Sequence, residues 1–75
     1  MSMFGERIKE LREEKKLTQG QLAQLLQCNQ QAVSRYELEK TDISTQVLIR
    51  LCTIFGVTAD YILGIEDETG AKVYR

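Results

Sequence analysis

Apolar residues recur along this chain at helical spacing, and a capping residue stands before most of the resulting runs. Phe4, Ile8 and Leu11 fall at i, i+4 and i+7, which predicts a first helix over Met3 to Lys16. Thr18 followed by Gln21 fits a capping box, in which each side chain satisfies an orphan backbone N–H. It opens a second helix with Leu22, Ala23, Leu25 and Leu26 facing inward, stopping near Gln27–Cys28. Asn29 is a good N-cap for a third helix, Gln30 to about Leu38, with Val33 and Tyr36 inward and Ala32 beside them. A loop from Lys40 to Ile43 leads to Ser44, the cap of a fourth helix from Thr45 to Phe55. Its stripe of Val47, Leu48, Leu51, Cys52, Ile54 and Phe55 is wide, so this helix is expected to be the most buried, and Gly56 stops it. Thr58 caps a short fifth helix to about Leu63, ended by Gly64. The pattern predicts an all-α, compact five-helix bundle.

The polar positions fill in the outer surface. On the first helix Arg7, Lys9, Arg12, Lys15 and Lys16 alternate with Glu6, Glu10, Glu13 and Glu14, the pattern of a solvated face. Lys15 and Lys16 also complement the helix dipole. Tyr61, Ile62 and Ile65 exceed what a small core needs, leaving them to core packing or to a dimer contact. The tail, residues 64–75, carries an acidic run from Glu66 to Glu68 that reads as a solvated linker. It ends in Lys72-Val73-Tyr74-Arg75, whose alternation would suit a strand in a dimer arm.

Composition narrows the function classes. Seventy-five residues hold one domain, and 43% hydrophobic residues without proline suit a small helical core. The net charge of -1 and pI ≈ 5.4 argue against a generic polycation. No apolar run approaches the ~18 residues that span a bilayer. The N-terminus moves straight into charged helix without a leader pattern, and the expectation is a cytoplasmic protein. Cys28 and Cys52 form no CxxC and there is no histidine, which argues against a zinc site and removes the usual general base of a nucleophilic triad. The thiols are expected to be free and buried. No glycine-rich phosphate loop is present, so neither a catalytic site nor a cofactor is expected.

One stretch departs from ordinary surface chemistry. From Leu17 to Ser34 there is no charged residue, while glutamine stands at 19, 21, 24, 27, 30 and 31. An amide donates and accepts in one plane, which suits the base edges of a DNA major groove. Two helices, a tight turn and a polar outer face of Gln30, Gln31, Ser34 and Arg35 make a helix-turn-helix arrangement. Leu17-Thr18-Gln19, Leu22-Ala23, Val33-Ser34-Arg35-Tyr36-Glu37, Leu48-Ile49, Leu51, Phe55-Gly56-Val57 and Asp60-Tyr61-Ile62-Leu63-Gly64 carry a resemblance over residues 8–63. The chain resembles the phage repressor/Cro (Cro/C1-type, XRE-like) family of helix-turn-helix DNA-binding domains.

The resemblance implies a lambda-repressor-like fold with the motif at about 18–37, and a small transcriptional regulator, a repressor acting as a homodimer on a pseudo-palindromic operator. It implies base contacts from Gln30, Gln31, Ser34 and Arg35 and phosphate contacts from Gln19, Asn29 and Lys40. It also implies a structural salt bridge between Arg12 and Glu37. From the residues alone, Gln30 and Gln31 are equally ordinary exposed positions, Arg35 can pair with Glu39, and Lys40 can be a solubilising charge. Two positions depart from the family. Gln27 stands where a turn glycine is common, so it must take an unfavourable dihedral or the turn must differ. Leu38-Glu39 replaces an Asn-Gly turn, so the third helix is expected to run a little longer. A protein-interaction module on the same fold is the alternative function; salt-dependent, sequence-selective affinity for duplex DNA separates the two.

Overall fold

The computed structural model describes residues 4–65, Thr69 and Ala71. Five helices follow one another: α1 Phe4–Glu14, α2 Gln19–Leu26, α3 Gln30–Glu37, α4 Thr45–Phe55 and α5 Ala59–Ile62, with no strand among the described residues. The last four begin alike. Thr18, Asn29, Ser44 and Thr58 sit in extended backbone, and each side chain accepts the N–H of the residue three further on. At Thr18 the capping box is complete, with Gln21 Oε1 accepting the Thr18 N–H at 2.8 Å.

The helices also share one ending. Leu17, Cys28, Lys40, Val57 and Ile65 each donate a backbone N–H to the carbonyl five residues earlier, at 2.8–3.2 Å. Just before each stands a residue of positive φ: Lys16 (58°), Gln27 (60°), Glu39 (57°), Gly56 (65°) and Gly64 (79°). This turn recovers carbonyls that the helix end would leave unbonded. A side chain in the left-handed conformation costs roughly 1 kcal/mol, so three of the five turns are formed against that cost. Gln27 therefore takes the unfavourable dihedral. The third helix does not run on: it stops at Glu37, and Glu39 adopts the left-handed state without being glycine. The first helix likewise ends at Glu14, two residues short of expectation; its expected start, Met3, lies outside the described residues.

Every helix contributes to the core. Ile8 and Leu11, Leu22, Ala23 and Leu26, Val33, Leu51 and Phe55, and Ile62 are buried together. Ile62 thus belongs to the core, whereas Tyr61 and Ile65 are half-buried. Four expectations are corrected. Leu25 points out, 50% exposed, because Leu22, Ala23 and Leu26 already define the inward face and Leu25 lies ~100° round the helix from it. Arg7 is not on the solvated face: it is buried, with its guanidinium 4.1 Å from the centroid of the Tyr61 ring, joining α1 to α5. And α4 is not the most buried helix. It packs on α2 and α5, but only Leu51 and Phe55 are buried, and Ile49 is 59% exposed. Both cysteines are free and half-buried rather than buried, and desolvation pushes their thiols up from the ordinary value. The strand suggested for Lys72–Arg75 falls outside the described residues.

Candidate nucleic-acid interface

The outer face is built by α3 and the first turn of α2. Val33 and Tyr36 turn inward, so the helical period places Gln30, Gln31, Ser34 and Arg35 on the opposite side. Gln30, Gln31 and Arg35 are exposed and Ser34 is half-buried. Gly20, in the first turn of α2, lies close by: a Cβ built there would be 3.8 Å from Gln30 Oε1. The N-terminal turns of both helices therefore meet on one surface. Their exposed groups are amides, hydroxyls and unsatisfied backbone N–H groups, and Arg35 on α3 and Lys40 just past its end are exposed cations.

Beneath this face, Glu37 holds the motif to α1. Arg12 Nε donates to Glu37 Oε2 at 2.6 Å and Arg12 Nη2 to Oε1 at 3.2 Å, a two-pronged pair. Arg12 Nη1 donates to the Leu17 carbonyl at 2.9 Å, fixing the link between α1 and α2. The hydrogen bond to Glu37 holds the Arg12 guanidinium above its ordinary value, with burial pulling the other way. Gln19 joins the same cluster: its Nε2 donates to Glu37 Oε1 at 3.1 Å. One group thus ties α1, α2 and α3 together.

The structure brings the four expected base-contact residues to one face and treats the expected phosphate contacts unequally. Lys40 is exposed just past the end of α3. Asn29 Oδ1 is used by its cap, accepting from Ala32 N at 2.8 Å, which leaves the amide NH2 to donate elsewhere. Gln19 commits one N–H to Glu37 and keeps its other groups. Glu39 does not pair with Arg35; its Oε2 accepts the Gly5 backbone N–H at 3.2 Å. That contact was not legible in the sequence, where Glu39 is one acidic residue among several.

A sequence profile described as helix-turn-helix matches residues 8–62. The chain belongs to this family. Among helix-turn-helix relatives, the chain is 34% identical over 73 residues to the uncharacterized HTH-type transcriptional regulator YobD of Bacillus subtilis, covering 97% of this chain. The chain spans 65% of that relative's length, and 61% of a second Bacillus subtilis regulator, YqaE, to which it is 36% identical. Among solved structures, the P22 c2 repressor in complex with synthetic operator 9T superposes with a TM-score of 0.80 at 27% identity, covering 84% of this chain and 96% of that one. A transcriptional regulator from Listeria innocua also gives 0.80, at 32% identity, over 88% of this chain and 62% of that one.

Proposed function

We propose that this helix-turn-helix chain binds double-stranded DNA sequence-specifically as a transcriptional regulator, in the manner of a repressor. The observation that carries the reading is the uncharged amide face at the start of α3, set beside the N-terminus of α2. The likeness to a repressor in complex with operator DNA supports it. In this reading α3 lies in the major groove. Gln30 and Gln31 pair with adenine N6 and N7, while Ser34 and Arg35 read the following step. The N–H groups at the start of α2, with Gln19, the Asn29 amide and Lys40, hold phosphates on either side.

Up to Ile65, eight basic residues are matched by eight acidic ones, so no strong positive field draws the domain to DNA. A single copy would then bind weakly. A homodimer on a pseudo-palindrome, with half-sites about 34 Å apart, supplies the missing affinity.

The test is selection of duplexes from a randomised pool at one fixed moderate salt, with wild type and a Gln30→Ala/Gln31→Ala variant. The expected result is a palindromic consensus that loses information at one symmetric pair of positions in the variant. No enrichment by folded wild type would instead favour a protein-interaction module on this fold.

A further inference from the structure

Residue Glu39 occupies a backbone state suited to glycine, and its side chain reaches back across the molecule to the start of α1. There it accepts the Gly5 N–H, one of the donors a helix start leaves without an intrahelical partner. Gly5 allows the approach. A Cβ at that position would overlap the Glu37 carbonyl oxygen and lie 2.8 Å from that of Tyr36 and 2.7 Å from Glu39 Cγ. The first turn of α1 therefore sits flush on the C-terminal turn of α3. Seven residues further along α1, Arg12 grips Glu37 of the same turn.

We propose that Glu39 is a positioning residue for the DNA-reading helix, closing a two-point clamp of α1 on the end of α3. The inference rests on the reading of α3 given above. A single pin at Arg12–Glu37 leaves α3 free to pivot about it. A second pin ~10 Å away along α1 fixes its tilt. Gln30 and Gln31, farthest along α3 from the clamped end, are displaced most by a change of tilt. A carboxylate is suited to the task, because it complements the positive end of α1 as well as accepting its N–H.

Three proteins test this: wild type, Glu39→Gln, which keeps an acceptor oxygen, and Glu39→Gly, which suits the left-handed turn but has no side chain. Amide exchange at Gly5 in the free protein, thermal stability, and affinity for the duplex selected by wild type are measured on each. In Glu39→Gly, Gly5 exchange is expected to speed up about tenfold and DNA affinity to fall about tenfold, with Tm unchanged or higher. Discrimination should be lost chiefly at the base pairs facing Gln30 and Gln31, and Glu39→Gln should fall between. Should Glu39→Gly fail to fold, Glu39→Asn carries the same expectations, since asparagine tolerates the left-handed state and is too short to reach Gly5. Unchanged Gly5 exchange, or wild-type affinity and discrimination without the side chain, overturns the clamp whatever happens to stability. A wild type that selects no duplex overturns the DNA reading instead, and Gly5 exchange still judges the clamp.

Discussion

Glu37 shows how much one side chain can organise. It is 4% exposed, Arg12 is 12% exposed, and three hydrogen bonds converge on its two oxygens. Deleting it alone leaves a largely buried guanidinium and the Gln19 amide without their acceptor. Glu37→Ala should therefore cost ~3 kcal/mol, whereas Arg12→Ala/Glu37→Ala should cost clearly less, because the pair's desolvation is relieved together. Urea denaturation of both variants checks this; equal losses would refute it. The raised Arg12 value adds no pH dependence in the working range. Its stabilisation is fully present below arginine's ordinary value and is lost only as pH rises through the still higher folded one. The resemblance pointed to Arg12 and Glu37 in the sequence, but nothing pointed to Arg7 or Glu39. Both lie in charge-rich stretches whose alternation reads as solvated surface. Burial against Tyr61, or reach towards Gly5, depends on tertiary neighbours that a local pattern does not contain.

At the scale of the element, beginnings were more legible than endings. Thr18, Asn29, Ser44 and Thr58 announce four helices because a cap is a property of a residue type. The ends depend on φ, and only Gly56 and Gly64 advertise it. Lys16, Gln27 and Glu39 take the same turn without a local signal, which is why α1 and α3 were expected to run longer. Lys16→Gly and Gln27→Gly should each stabilise the fold by about 0.5–1 kcal/mol, since glycine removes the left-handed cost and only part of the gain is lost to a more flexible unfolded chain. Denaturation midpoints read this directly, and a loss of stability in both would mean those side chains make contacts worth more than the strain. Element α4 marks a second limit. Its boundaries, Thr45–Phe55, were legible, but its burial was not. A wide apolar stripe records what a helix can cover, not whether a neighbour is there to cover it.

On the scale of the whole molecule, the balance of charge sets the character of binding. In the proposed orientation Lys40 holds a phosphate and the Arg35 guanidinium, set at the base edges, also displaces counterions, so each half-site should release the counterions of about two phosphates. The slope of log K against log salt should then be near −2 per half-site, or roughly −4 for a dimer. A titration at several salt concentrations measures it, and a much steeper slope would place more basic residues on DNA than this orientation allows. The amide face has one more consequence. Gln30, Gln31 and Ser34 have no proton to gain or lose between mild acid and mild alkali, and the chain contains no histidine. In the proposed reading, the hydrogen-bond vocabulary of those side chains is therefore the same in mild acid and mild alkali. Selection repeated at pH 5.5 and 8.5 should return one consensus, however much overall affinity drifts: the cell's acidity can turn the volume of this reader up or down, but it cannot change the word being read.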